Sequence, residues 1–304
     1  MARIFNELCD AFPKQLADNL WLMGNYYFNL YLIKGNKESA LVEVGISAIV
    51  DSVISQLEAL DTYPTYLVVT HPHADHLTGL SGLKERFPDA CVVAGEGALE
   101  FIEHPKAAEA LISDDKFMNE AMVARGHKPG RAPLTKSPSL GNYLLVNDGD
   151  VIDLGGVALR FVTLKGHSPG NIGAYVPEIS ALIVSDSLGL HYPNRRFLPV
   201  FFTGFHDYIA SMDRLSQANP EILCLGHQGP LIGADVKQAF HVARQTSFDF
   251  LERIVSNREN KESIADDIFH EYYIDEYTVF SPNNVKRAVR LLVRRGIETL
   301  NNEL

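Results

Sequence analysis

Four potential metal ligands stand within six positions of one segment, Thr70-His71-Pro72-His73-Ala74-Asp75-His76. The segment follows an apolar, β-branched run from Tyr66 to Thr70, which predicts a buried strand, and it leads into an amphipathic helical pattern. Pro72 favours extended backbone at His71, and alternate residues of an extended segment project to the same side. We therefore expect His71 and His73 to reach one metal ion, with the other two ligands entering the same cavity from the start of a helix.

Three later fragments also place a histidine or an aspartate just beyond a predicted strand. They are LKGHSPGN at 164–171, IVSD at 183–186 and LCLGHQG at 223–229. In layered α/β folds, groups at strand ends converge on one edge, where loops build binding sites. Together with the first segment they supply seven ligands, enough for two adjacent metal ions that share a carboxylate and a bridging hydroxide. Imidazole and carboxylate ligands suit zinc, iron or manganese. We expect two divalent ions, zinc first, with iron and manganese as alternatives.

The alternation of short strands and helices along the chain predicts a layered α/β fold. Residues 98–140 interrupt it with a helical stretch to about Ala124 and then a Pro-, Gly- and Lys-rich segment, which we interpret as an insertion. Three helices are predicted near the carboxyl end, at about 235–257, 261–271 and 282–300. We therefore expect one domain over 1–234 and a helical cap over 235–304.

Charge and composition narrow the functional classes. The chain has 38 acidic residues against 27 Lys plus Arg, a net charge of -11, which opposes binding to a nucleic-acid backbone. Its three cysteines are far apart, so a disulfide framework is not indicated. The amino terminus resembles no secretory signal, and no apolar run reaches the roughly 18 residues of a membrane span. These features predict a cytoplasmic protein with a small-molecule substrate, no nucleic-acid partner and no membrane attachment. The tail helices are candidates for a homodimer interface.

The motifs THPHADH, GHSPGN, SD and GHQG, in this order, resemble the signature of the metallo-β-lactamase-fold superfamily. The resemblance extends over roughly residues 20 to 233, and it implies a four-layered αβ/βα sandwich with a dinuclear metal site at one edge. The helical tail would be a C-terminal extension of this fold. Position by position, the resemblance implies one ion held by His71, His73 and His167, and a second held by Asp75, His76 and His227. Asp186 would bridge the two ions.

An aspartate at the bridging position resembles the glyoxalase II, lactonase and thioesterase-like branches, whereas β-lactamases proper have cysteine there. The runs SALVEVGIS and SDSLG are similar to those of the quinolone-signal response thioesterases. The resemblance implies a hydrolase of a small ester or thioester, of the acyl-coenzyme A type, that uses a metal-bridging hydroxide. Asp75 is the expected catalytic residue, because it can both bind a metal ion and pass a proton to the leaving group.

Four residues beyond the bridging aspartate are candidates for contact with substrate. His191 and Tyr192 would donate hydrogen bonds to the substrate oxyanion, and Phe197 and Phe201 would line an acyl pocket. The alternative is that these side chains pack in the core or cap local structure. Basic residues of the last helix, among them Arg287, are candidates for attracting an anionic substrate, with a solvated helix face as the alternative.

Two other functional classes stay open. One is an iron-dependent oxidoreductase acting on sulfur or oxygen. A metal content near one ion per chain would favour this class. The other is a regulatory or binding protein that keeps its metal ions but turns nothing over.

Overall fold

Side chains along the strands divide the core into layers. The computed structural model describes residues 11–191 and 197–301. In strand β2 (Leu20–Gly24), Leu20 and Leu22 lie in an apolar layer between two sheets, whereas Met23 faces helices on the outer side. Cys224 likewise lies between the sheets, and its neighbour Leu225 faces the opposite helical layer. Because successive side chains of a strand point to opposite faces, each strand serves two apolar layers.

The first sheet has seven strands in chain order. They are β1 (Lys14–Ala17), β2, β3 (Asn29–Lys34), β4 (Ser39–Val42), β5 (Tyr66–Val69), β6 (Cys91–Gly95) and β7 (Tyr143–Val146). Strands β1 to β4 pair antiparallel, and β4 to β7 pair parallel. The register of β3 against β4 pairs Lys34 with Ser39, so these strands form a hairpin around the turn residues between them.

The second sheet has six strands in the order β15-β14-β11-β10-β9-β8. They are β8 (Val151–Asp153), β9 (Ala158–Thr163), β10 (Ile172–Val176), β11 (Ala181–Ser185), β14 (Ile222–Leu225) and β15 (Leu231–Ile232). Strands β11 and β14 run parallel, so both end at the same edge. A two-stranded ribbon, β12 (Leu190–His191) with β13 (Phe197–Leu198), lies beyond β11.

Helices cover the outer face of the first sheet. They are α1 (Val50–Ala59), α2 (Ala74–Leu77), α3 (Leu80–Arg86), α4 (Ala98–Glu103) and α5 (Pro105–Ala124). The helical stretch expected from Ala98 to about Ala124 is present but divided. Pro105 starts α5, where its missing N–H is not needed, and His104 before it is extended.

Helices of the carboxyl-terminal half cover the second sheet. They are α6 (Phe205–Gln217), α7 (Ala234–Ser256), α8 (Lys261–Tyr272) and α9 (Pro282–Asn301). The three tail helices lie within two residues of their expected bounds. Helix α6 begins at Phe205, the last of four phenylalanines between positions 197 and 205.

Helix, sheet, sheet and helix therefore form four layers, with the C-terminal helices added to the last, as expected. None of the described helices is both long and apolar enough to cross a bilayer. Backbone hydrogen bonds join the two sheets at one edge, from the Ile172 amide to the Thr70 carbonyl (2.8 Å) and from the Asn29 amide to the Gly226 carbonyl (2.9 Å). The ligand-bearing loops leave the sheets at this edge.

Candidate metal centre

Three histidines form the first ligand group. Nε2 of His71 lies 3.1 Å from Nδ1 of His73 and 3.2 Å from Nε2 of His167. The loop after β5 supplies the first two rings, and the loop between β9 and β10 supplies the third. The sequence reasoning that extended backbone would bring His71 and His73 together agrees with this geometry, since His73 is extended at the start of α2.

The second ligand group lies beside the first and contains two histidines and two aspartates. Oδ2 of Asp75 lies 3.2 Å from Nε2 of His76 and 3.2 Å from Nε2 of His227. The two oxygens of Asp186 face the same rings, with Oδ2 3.4 Å from His76 and Oδ1 3.5 Å from His227. Within each group the potential ligand atoms lie within 4.8 Å of one another. The seven side chains expected at the metal site are therefore together at one edge.

Hydrogen bonds on the far side of the rings fix their orientation. Nδ1 of His167 donates to the Val200 carbonyl (3.0 Å), and Nδ1 of His227 donates to the Tyr27 carbonyl (2.6 Å). A carbonyl can only accept, so the proton of each neutral ring is on Nδ1 and the lone pair of Nε2 is directed toward the site. This is the tautomer that a metal-binding imidazole needs.

Glu43 is a buried member of the site that the sequence analysis missed. Its Oε2 lies 2.9 Å from Nδ1 of His76, and its Oε1 accepts a hydrogen bond from Oγ1 of Thr70 (2.7 Å). Glu43 is 1% exposed and follows β4 with a φ of 73°, a left-handed conformation that is uncommon for glutamate. The sequence feature that could have indicated Glu43 is an acidic residue directly after the apolar run of β4, in the sequence LVEV.

Glycine at position 226 allows the ligands to approach the backbone. A Cβ added there would lie 2.8 Å from Oδ1 of Asp186 and 2.8 Å from Cε1 of His76. Any side chain at this position would therefore displace two ligands at once.

The histidines of the first group are held neutral. Burial lowers the pKa of His71 well below its usual range, and the neighbouring rings of His76 and His73 lower it further. Burial likewise lowers the pKa of His73 to about 3, and it lowers the pKa of His167. Neutral imidazole is the form that binds a metal ion, so this group is ready to do so without losing protons.

The second group has the opposite electrostatics. Burial opposes charge on His76, but Asp75, Glu43 and Asp186 outweigh it and raise the pKa of the ring well above its usual range. The pKa of His227 is raised because Asp186 and Asp75 outweigh its burial. The facing rings in turn lower the pKa of Asp186 to about 2 against the effect of burial, and that of Asp75 is also lowered. Both aspartates are therefore carboxylates.

These side chains fit divalent metal ions. Nε2 of His76 and of His227 is buried and makes no hydrogen bond to any described residue, although carboxylate oxygens are near both atoms. Buried polar atoms normally have a partner, and a cation is a partner that rings and carboxylates can share. Five imidazoles and two carboxylates are ligands that suit zinc, iron and manganese.

The site opens into a cavity of about 460 Å³ with mainly apolar walls. His73, Asp75, His167 and Asp186 form part of its wall. Helix α5 supplies Leu111, Asp114 and Met118, among others, and the tail supplies residues from Tyr277 to Leu292. The insertion and the C-terminal helices thus enclose the space in front of the ligands.

The structure places the expected substrate contacts differently. Phe197 is 3% exposed and Phe201 is fully buried, and both belong to the core between the second sheet and its helices. The neighbouring residues Leu198 and Phe202 line the cavity instead. Core packing, the alternative for the two phenylalanines, is what the structure has.

Of the other two expected contacts, the structure describes only His191. His191 stacks near Phe197, with ring centroids 4.9 Å apart, and it is not among the cavity-lining residues, whereas Leu190 is. Tyr192 lies outside the described residues.

Known proteins resemble this chain over much of its length. The beta-lactamase-like protein 2 homolog of Caenorhabditis elegans is 22% identical over 96% of this chain and 87% of its own length. Human acyl-coenzyme A thioesterase MBLAC2 is 25% identical over 66% of this chain and 74% of its own. Among solved structures, a metallo-beta-lactamase family protein of Thermus thermophilus superposes with a TM-score of 0.68, at 23% identity and with 95% of each chain covered.

The sequence profile of the metallo-beta-lactamase superfamily matches residues 25–227, which include all seven candidate ligands and every strand of the two sheets except β1, β2 and β15. This match covers two thirds of the chain and ends at the last ligand, His227. The chain therefore belongs to the metallo-beta-lactamase superfamily.

Proposed function

We propose that the protein is a dinuclear metal-dependent hydrolase of small esters or thioesters with a largely apolar acyl group. The observation that carries the proposal is the position of ligands from two adjacent groups on the wall of a mainly apolar cavity. A substrate carbonyl placed there lies beside the candidate metal ligands, while its acyl group contacts carbon atoms of the cavity wall. The name of the human relative, an acyl-coenzyme A thioesterase, supports thioesters as the first class to test.

Two divalent ions at these ligands would supply Lewis-acid polarisation of the carbonyl and a water with its pKa lowered to about 7. The protein's part is to hold the ligands in place and to keep the reacting groups away from bulk water. His71 and His76 are almost fully buried, so bulk water does not reach these two rings. Asp186 presents Oδ2 to His76 and Oδ1 to His227, and it would serve as a ligand to the metal ions.

We assign Asp75 the movement of the proton. Its side chain is 14% exposed, against 6% for Asp186, and it lines the cavity. The carboxylate accepts the proton that the attacking water gives up and delivers it to the departing oxygen or sulfur atom, so no serine or cysteine nucleophile is needed.

Thiol release from a panel of aryl- and alkyl-acyl thioesters tests the proposal, with protein loaded separately with zinc, manganese and iron. We expect the wild-type protein to turn over at least one thioester. The Asp186→Ala variant should lose this turnover and should also lose one equivalent of bound metal. Asp148→Ala is the matched control, because this exposed aspartate pairs with Arg214 far from the ligands and should leave turnover intact.

The Asp75→Asn variant separates metal binding from proton transfer. We expect it to retain metal and to lose about 100-fold or more in kcat. Undiminished turnover with metal retained would remove the proton role from Asp75. Protein that holds two equivalents of metal but hydrolyses no ester or thioester would overturn the hydrolase itself, and one equivalent of iron per chain would favour the oxidoreductase.

A further inference from the structure

Among the described residues that line the cavity, one acidic side chain is not a candidate metal ligand. Asp114, on α5, is 8% exposed and is surrounded on the same wall by Ala107, Ala110, Leu111 and Met118. No described residue makes a hydrogen bond or an ion pair with its carboxylate. Arg287, on α9, lines the cavity but is exposed, and it lies beyond ion-pair distance of Asp114. A polar group this far buried normally has a partner, so Asp114 requires an explanation.

The adjacent residue has a clear structural role, which makes the contrast informative. Asp115 is fully buried and accepts hydrogen bonds from the Ser47 amide (3.1 Å), the Ser47 hydroxyl (2.7 Å) and the Leu134 amide (2.9 Å). It joins the insertion to the rest of the domain. Asp114 has no such contacts and its side chain is directed into the cavity instead.

An unpaired carboxyl group in an apolar wall lowers the stability of the fold. Burial raises the pKa of Asp114 to about 6, although Arg287 opposes the shift. Groups that are unfavourable for the empty protein and face a binding cavity are typical of ligand recognition, because a ligand can supply the missing partner. For a carboxyl oxygen that partner is an N–H or O–H donor.

We propose that Asp114 selects acyl substrates that carry a hydroxyl or amino group on an otherwise apolar acyl moiety. This inference rests on the proposed hydrolase function and names its substrate class. The carbonyl lies at the metal ligands, the hydrocarbon part contacts the apolar wall, and the donor group binds the Asp114 carboxylate. An analogue without the donor leaves the buried acceptor unpaired. The cost of that unpaired group discriminates strongly against the analogue.

Matched phenylacetyl thioesters test the selection with metal-loaded protein. The panel contains unsubstituted phenylacetyl, its 3- and 4-hydroxy, 3- and 4-amino, and 3- and 4-methoxy derivatives, all as N-acetylcysteamine thioesters. The methoxy group has similar size but no donor, and hydroxy against amino derivatives distinguish the two donors. We expect at least one donor isomer to exceed its methoxy counterpart in kcat/KM by about tenfold or more.

Variants assign the preference to Asp114. In Asp114→Leu the ratio of donor to methoxy substrate should fall to about one, while Asp114→Asn, which keeps an acceptor oxygen, should retain part of it. Leu111→Met, on the same wall, should change both substrates alike and keep the ratio. A wild-type protein without donor preference, or a preference that survives in Asp114→Leu, would overturn the inference.

Two further measurements separate this inference from its alternatives. Calorimetric binding of the corresponding phenylacetamides, which are not hydrolysed at the rate of thioesters, reports donor preference even where turnover is lacking. A donor preference in binding, lost in Asp114→Leu but without thioester turnover, would reject thioester hydrolysis and keep the recognition role. A structural role for Asp114 predicts a lower Tm in Asp114→Leu, whereas we expect an unchanged or higher Tm.

Discussion

The residues around each histidine determine whether its ring is in the protonation state that binds a metal ion. The histidines of the first group are neutral because burial and like neighbours disfavour their charge. His76 differs, because Glu43 faces its Nδ1 at 2.9 Å and favours a proton there. With a proton fixed on Nδ1, the only atom of His76 that can bind a metal ion is Nε2, which points at Asp75 and Asp186. Glu43 is therefore a positioning residue.

Glu43→Gln tests this role. Removing the charge weakens the hold on the Nδ1 proton and lowers the basicity of Nε2, so metal affinity at the second ligand group should fall by about 10- to 100-fold. Competition with a chromogenic chelator measures the affinity without relying on turnover. Glu58→Gln, a partly exposed glutamate paired with Arg86, is the control and should leave the affinity unchanged. Equal affinities for wild type and Glu43→Gln would contradict the positioning role.

At the scale of elements, helix α5 both anchors the insertion and forms a cavity wall. Its anchor is Asp115, which accepts from Ser47 and Leu134, and Asn119 one turn further along also donates to the Ser47 hydroxyl (3.3 Å). These polar contacts are between buried or half-buried groups, where an unpaired amide is costly.

Asp115→Ala should therefore lower the free energy of unfolding by about 3 kcal/mol, because it leaves buried donors of Ser47 and Leu134 unpaired. Urea unfolding followed by circular dichroism measures this. The matched control is Asp114→Ala on the same helix turn, which removes no hydrogen bond and should not lower the free energy. Equal losses in the two variants would mean that burial alone, and not these contacts, decides the effect.

The sequence predicts best those features that are local in the chain. The role of the segment from His71 to His76 could be predicted because the strand, the extended dipeptide before Pro72 and the start of the helix are adjacent in the chain. The tail helices could be predicted from the helical spacing of their apolar residues. Glu43 could not be found in this way, because its contact with His76 joins residues 33 positions apart. Phe201 and Phe202 are neighbours in sequence, and only the direction of the backbone decides that the second faces the cavity.

The whole molecule is joined across the cavity by its carboxyl-terminal segment. Arg295 of α9 donates to the Phe202 carbonyl (3.0 Å), and Thr278 accepts from Arg125 at the end of α5 (2.6 Å). Helices α7 to α9 also supply a large part of the core that covers the second sheet. From these contacts we infer that the tail unfolds together with the sheets rather than as a separate cap, although its boundary near residue 234 stays a prediction.

Phe250→Ala tests this cooperativity. Phe250 of α7 is 2% exposed and packs against Tyr272 of α8, with ring centroids 5.5 Å apart. Its loss should lower the free energy of unfolding by about 3 to 5 kcal/mol. Two probes follow the transition: circular dichroism, dominated by helices, and labelling of Cys224, mapped by mass spectrometry. Cys224 lies between the sheets, where burial raises the pKa of its thiol, so it reacts only once the sheets separate.

The variant should move both transitions to lower urea by the same amount, because the tail core and the sheet core are one cooperative unit. Phe248→Ala, on the same helix but 38% exposed, is the control and should move both by less. A helical transition that shifts while Cys224 stays protected to the wild-type midpoint would mean that the tail unfolds alone. In that case the wall it gives the cavity could open without unfolding the metal centre, and the tail would be free to act as a lid over the substrate.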